Sequence, residues 1–326
     1  MSSQPSTDDT ATREFPWGNA RRFYSHADAM KAQFGGRVQK VSIMADFTCP
    51  NRDGSLGYGG CTFCNNESFT PSYTKKYPQI TDQIDHGLEF LKRRYPRVAK
   101  YVAYFQAYTN TYGELEKLKS TYAEALAHPD IDGLVIGTRP DCVNDELLDY
   151  FEELAKEKLL VVEYGVESCH NSTLQLVHRG HSFEDSVAAI EKSAGRGFHV
   201  GAHFMFGLPG ESRWEMLQQV DKINQLPIDS VKFHQLQIVK GSIMAHQYEA
   251  DPDAFELFEK DEYINFIIQV LERLRPDLEV QRLSSESPPT IRIAPDWGNA
   301  RIHEIMLEIE AEMEKRDTYQ GRLYQA

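Results

Sequence analysis

The chain has 326 residues, 41% of them hydrophobic, and a formal charge of −14 at pH 7. That length suits one α/β barrel with an added segment, and the apolar share suffices for a sizeable core. No apolar run approaches the roughly 18 residues of a membrane span, and the acidic balance excludes a surface that grips nucleic acid throughout.

Met1–Arg13 is rich in Ser, Thr, Asp and Gln and lacks the apolar stretch of a signal peptide. It reads as the start of a disordered tail, residues 1–22, on a cytoplasmic protein. A barrel domain is expected over 23–250 and a C-terminal extension over 251–326. Asp28–Phe34 reads as a short helix closed by Gly35 and Gly36, and Val38–Met44 as the first strand. Phe47–Pro78 is a long loop, and long loops in compact domains usually carry function. Thr81 is placed to cap a helix running to about Arg94. There follow a strand at Tyr101–Phe105, a helix at Glu114–Ala127, a strand at Gly133–Gly137, and a helix capped by Asn144. Then come a strand at Leu159–Val166, a helix opened by a capping box from Ser182 to Asp185, and a strand at Phe198–Phe206. A helix at Ser212–Asn224 and a strand at Ser230–Val239 complete six strands. Beyond them, Ala254–Leu274 reads as a helix, Glu279–Leu283 as a short strand, and the chain from Asn299 as an amphipathic helix.

Strands alternating with helices imply parallel pairing and right-handed crossovers. Continuous apolar runs such as Leu134–Ile136 fit strands buried on both faces. The expected fold is α/β, a partial (β/α)6 TIM-like barrel with a helical C-terminal extension. A flat doubly wound sheet is the alternative.

Five cysteines without a secretory signal argue against a disulfide framework. Cys49, Cys61 and Cys64 cluster on the loop after the first strand, where barrel active sites lie. The glycines between them let the backbone fold closely around an inorganic core. Three thiolates suit a four-iron cluster with one iron left open. A structural zinc needs four ligands, and His86 could supply the fourth. Cys142 and Cys169 stand alone, and Cys169 reads as packing or as a second redox or covalent residue.

The cysteine segment Phe47–Gly54 with Gly59–Cys64, together with Tyr104–Tyr112, Gly137–Cys142, Glu163–Ser168, His178–His181, Phe206–Glu211 and Ala294–Trp297, resembles the radical SAM superfamily. The long gap between the first two cysteines is similar to the YhcC-like group, which neighbours the radical SAM domain of the Elongator catalytic subunit. The resemblance runs from Phe23 to Asn299. It implies a [4Fe–4S] cluster on Cys49, Cys61 and Cys64, with S-adenosylmethionine (SAM) bound at the open iron. It further implies reductive cleavage of SAM to methionine and a 5′-deoxyadenosyl radical, with a reductant such as flavodoxin or ferredoxin.

Family members contact the SAM amino group after the second strand, where Gln106, Tyr108, Thr109 and Asn110 stand here in place of a Gly-Gly-Glu segment. Thr138 follows the third strand. Glu163, Glu167 and Ser168 lie on or after the fourth, as acceptors for ribose hydroxyls or the SAM ammonium, or as partners of a buried Arg139. Arg179 suits the SAM carboxylate. Gly207–Gly210 reads as backbone beside adenine or as a plain tight turn. His203, His234 and Gln237 alternate on late strands and are expected to face the barrel interior. The Elongator likeness implies a tRNA substrate at the C5 position of a wobble uridine, approached over Lys92–Lys100 with Arg21 and Arg22. The run Lys92–Lys100 reads equally as a solvated helix end. A YhcC-like sequence more often carries a Gly/Asp/Ala run where Ser284–Pro288 stands, so the substrate is expected to differ. The rival readings are a small metabolite, a protein side chain, or a structural zinc site.

Overall fold

The computed structural model describes residues 14–298 and 300–325. Its strands are β1 (Arg37–Ile43), β2 (Val98–Phe105), β3 (Gly133–Thr138), β4 (Leu159–Glu167), β5 (His199–Phe206), β6 (Ser230–Gln235), β7 (Ile238–Val239), β8 (Glu279–Arg282) and β9 (Arg292–Ala294). Seven of them form one sheet in the order β1-β2-β3-β4-β5-β6-β8, every pair parallel. The sheet curls into a partial barrel, and Lys40 on β1 reaches Gln281 on β8 at 3.1 Å although the two strands are not paired. Helices cover the outside, where side chains such as Ile84, Tyr122, Phe151, Val220 and Ile267 form the main core.

Local chemistry places the helices much as expected. Ser182 and Ser212 both close capping boxes, with Asp185 and Glu215 respectively, and the Asn144 side chain accepts from Leu147 N. Thr81 does not cap: the helix Ile80–Arg94 starts earlier, and its first turn has no side-chain cap.

Three expectations about the chain's layout change. The strand expected over Ser230–Val239 is broken after Gln235, whose amide clasps Ser285 N and O, so that β7 pairs antiparallel with β9 instead. The short strand of the C-terminal extension joins the barrel sheet beside β6, so the extension shares the barrel's hydrogen bonding. Residues 14–22 of the expected tail are packed: Phe15 is buried, Arg22 O accepts from Gln320 N, and Val280 N donates to Tyr24 O along the outer edge of β8. That cover leaves less of β8 open to another chain. Residues 1–13 of the expected tail lie outside the described residues, as does Asn299, where the last helix was expected to begin; the helix spans Ile302–Lys315. No described helix is long and apolar enough to cross a membrane.

Inside the barrel Val102, Tyr104, Val135 and Val161 make an apolar floor. Two residues beyond Val161 stands Glu163, fully buried. It accepts from Lys40 Nζ at 2.7 Å, from Lys232 Nζ, and from His203 Nε2 at 3.2 Å. Burial opposes its charge, but Lys232 and Lys40 outweigh burial and hold the carboxyl well below the usual range. Lys232 is buried beside it, and the Glu163 carboxylate is its counter-charge.

The network has measurable consequences. Glu163→Gln leaves Lys40 and Lys232 without their counter-charge and should cost about 3–5 kcal/mol in urea unfolding. The His203 pKa is pushed down from 6.5 to about 4 by burial first and by Lys232 next. A base with a depressed folded pKa contributes stability above its unfolded value, and that contribution is lost as pH falls from 6.5 towards 4. His203→Gln should therefore flatten the Tm-against-pH curve in that window and leave its shape above neutrality unchanged.

Candidate cofactor cavity

The loop leaving β1 crosses the carboxyl ends of the strands and folds back on itself. Arg52 N and Asp53 N donate to Cys49 O, Gly60 N donates to Asn51 O, and Cys64 N donates to Cys61 O. Gly60 has φ 86°, and a Cβ there would meet Arg52 Nε at 2.8 Å. The positive φ favours glycine there, while the Arg52 side chain has room to shift. Asn51 fastens the loop to the segment after β4: its amide donates to the carbonyls of His178 and Arg179, each at 2.8 Å. Gly180, with φ 79°, lets that segment approach, since a Cβ there would lie 2.4 Å from Asn51 Oδ1.

Cys49, Cys61 and Cys64 are all free thiols and all line one cavity of about 240 Å³ at the barrel mouth. Asn51 Nδ2 and Arg179 Nη1 each lie 3.5 Å from Cys61 Sγ, and Arg52 Nη2 donates to Cys64 O at 3.0 Å. Burial, reinforced by Cys61, pushes the Cys64 thiol up to about 11. Arg179 loses hydration on burial, yet Cys61, Glu167 and Cys49 hold its proton more firmly still.

The sulfur spacing discriminates between metal centres. One tetrahedral zinc, with Zn–S near 2.3 Å, sets its sulfurs about 3.8 Å apart. Among the described residues, the group whose ligand atoms all lie within 4.8 Å is His26, His199 and Glu279, not the three cysteines. A wider core, with one thiolate per iron, suits the cysteines better. His86 does not complete a zinc site: its ring stacks on Tyr77 at 3.8 Å, outside the cavity lining.

The other expected residues divide. Gln106, Thr138, Glu167, Arg179 and Gln237 all line the cavity, as do Tyr108, Thr109, Glu163, His203 and His234. Thr138 Oγ1 shares a 2.5 Å hydrogen bond with Thr111 Oγ1. Glu167 lies 3.6 Å from Arg179, and burial raises its pKa. Ser168 does not reach the cavity; it hydrogen-bonds Glu211 and accepts from His170 N, which holds the turn into the next helix. Asn110 is likewise occupied, donating to Phe105 O and Gly137 O and so tying β2 to β3. Arg139 pairs with Asp141 rather than with a glutamate. Gly207–Gly210 is a tight turn that buries Leu208, outside the lining. Cys169 is buried packing, its N–H donated to Gln219.

Sequence reasoning missed Asn51, Arg52, Lys40 and Lys232 as parts of the site. The lysines carried a weak signal, because each stands between apolar residues of its strand: Val38 and Val41 about Lys40, and Val231 and Phe233 about Lys232.

The family model for the radical SAM superfamily matches residues 49–223, and that for the radical SAM C-terminal domain matches 228–315. Protein YhcC of Escherichia coli (strain K12) is 36% identical over 270 residues, 82% of this chain and 85% of YhcC. The tRNA uridine(34) acetyltransferase of Methanocaldococcus infernus is 26% identical over 161 residues, 48% of this chain and only 29% of that protein. The structure of M. infernus Elp3 with an N-terminal deletion superposes with a TM-score of 0.62 at 20% identity, over 87% of this chain and 64% of that one, which speaks for the fold alone. A family model spanning more than half the chain, and a relative matched along most of both lengths, show that the chain belongs to the radical SAM superfamily, within a YhcC-like group.

Proposed function

We propose that Cys49, Cys61 and Cys64 hold a [4Fe–4S] cluster and that the cavity beside them receives SAM. The observation that carries this reading is the set of three free thiols on one cavity, with sulfurs not gathered around a single ion. When bound, such a cluster supplies one electron to SAM, which divides into methionine and a 5′-deoxyadenosyl radical. The protein's share is placement and electrostatics. Asn51 and Arg179 direct N–H groups at Cys61, as donors to a sulfur that carries negative charge. Gln106, Thr138, Glu167 and Arg179 are the polar groups on the adjoining wall that would receive the amino-acid and ribose parts of SAM. Arg179 Nε and Thr109 Oγ1 are buried without a partner, which leaves hydrogen-bonding capacity there for a ligand. A flavodoxin or ferredoxin is the proposed electron donor.

The proposed substrate is a tRNA wobble uridine, supported by the partial match to a tRNA uridine(34) acetyltransferase. One observation favours the second reading, a small metabolite or protein side chain. The expected RNA path is largely spent on ion pairs: Lys92 with Asp130, Lys100 with Asp132, Arg21 with Asp28 and Glu310, and Arg22 with Asp317. Lys92 and Lys100 also flank the start of β2, at the end of the barrel away from the cavity.

Anaerobic reconstitution with iron and sulfide, followed by reduction, should yield 5′-deoxyadenosine from SAM. Alanine at Cys49, Cys61 or Cys64 should abolish it and lower bound iron; product surviving in all three variants would overturn the assignment. For the substrate, tRNA affinity should fall steeply as salt rises from 50 to 200 mM if RNA is bound. Absence of binding at low salt would leave the second reading.

A further inference from the structure

The cavity has two polar walls. One is the cysteine side, with Arg179 and Glu167. The other is built by β6, β8 and the residues that follow them: His234, Gln237 and Arg282. On this second wall the hydrogen bonding is incomplete. His234 Nε2 and Gln237 Oε1 are buried with no hydrogen-bond partner among the described residues. Arg282 has no hydrogen-bond or ion-pair partner among the described residues. By contrast, the other guanidiniums of the lining are engaged: Arg52 at Cys64 O, Arg139 at Asp141, and Arg179 at Gly165 O, Glu167 and Cys61.

The nearby acid cannot serve Arg282, because Glu163 is already surrounded by Lys40, Lys232 and His203. Glu286 at the rim is taken by Arg301 and by Ile302 N. A guanidinium at the cavity wall with no anion beside it is free to take one, and its planar fork matches carboxylate and phosphate. Its charge acts on Tyr104, Lys232 and His234, whereas that of Arg179 acts on the cysteine side, at Cys142. Arg282 stands on β8, which pairs with β6, so it shares a wall with His234 rather than with Arg179, which follows β4.

We propose that this wall anchors the substrate, with Arg282 receiving a carboxylate or phosphate while His234 and Gln237 flank it. The reading rests on the proposed SAM site occupying the other wall, and it moves Gln237 from SAM to the substrate. A group that offers an N–H or O–H beside its anion fits best, because Gln237 Oε1 needs a donor. The anion could belong to a free metabolite or to a nucleotide; Arg282 recognises what they share.

The test uses the full chain, reconstituted and SAM-bound, with inorganic phosphate and glutarate as probes in titration calorimetry. Iron content and SAM affinity are read first, and report on the cofactor assignment separately. Wild type should bind at least one probe, Arg282→Gln should weaken it tenfold or more, and SAM affinity should be unchanged. The probe retained identifies phosphate or carboxylate. In unmodified wild type, that probe should also protect Arg282 from phenylglyoxal, read by peptide mass spectrometry, which needs no variant. The proposal fails if neither probe binds, if Arg282→Gln binds as wild type does, or if that variant loses SAM instead.

Discussion

A carboxylate stripped of water has to be surrounded by donors, and Glu163 draws them from three strands. Lys40 comes from β1, His203 from β5 and Lys232 from β6, so the acid on β4 joins strands that the sheet order keeps apart. Hydrogen bonding between neighbouring strands fixes only neighbours. The contact from β4 to β1 fixes curvature, because those strands meet only if the sheet curls. Lys40 extends the same tie to Gln281 on β8. One polar cluster thus sets the diameter of the barrel and separates its apolar floor from the open cavity.

The mouth above that cluster depends on a second, smaller device. Asn51 stands two residues after Cys49 and grips the carbonyls of His178 and Arg179. The cysteine loop and the Arg179 segment are therefore positioned by each other. Arg139 adds a hydrogen bond to Arg179 O from the β3 side. Holding both segments rigidly matters for any thiolate-bound centre, because side chains around a metal tune it only when their own orientation is fixed. The polar groups of the lining thus sit on secondary-structure ends and are braced from behind.

Much of this was legible in the sequence. Asn144, Ser182 and Ser212 announced their helices because capping chemistry is local, and the buried parallel strands announced themselves as continuous apolar runs. The cysteines and the cavity-lining positions of Gln106, Thr138 and Glu167 followed from the rule that polar residues just past strand ends face a barrel mouth, whereas Arg179 came from the family resemblance and Gln237 from its alternation on a late strand. What failed was what pairing decides at a distance. Ser168 obeyed the same rule, yet Glu211, 43 residues on, captures its hydroxyl. The strand expected over Ser230–Val239 breaks after Gln235 because Ser285, 50 residues on, completes its amide. Residues 14–22 looked like tail because their partners Gln320 and Asp317 stand at the other end of the chain.

The distribution of charge bears on what enters. With a net charge of −14, the surface repels a polyanion that must lie along it, and the compact basic run Lys92–Lys100 is largely met by acids. The cavity reverses that balance locally, since Arg282 is left over once Glu163 and Glu286 have taken their partners. Such an arrangement rewards an anion that reaches inside over one that spreads across the outside, because a charge pair shielded from solvent is screened far less by salt. A free metabolite meets that condition directly. A nucleic acid meets it only by extending one nucleotide into the barrel, and would have to find its remaining contacts on a surface whose net charge opposes them.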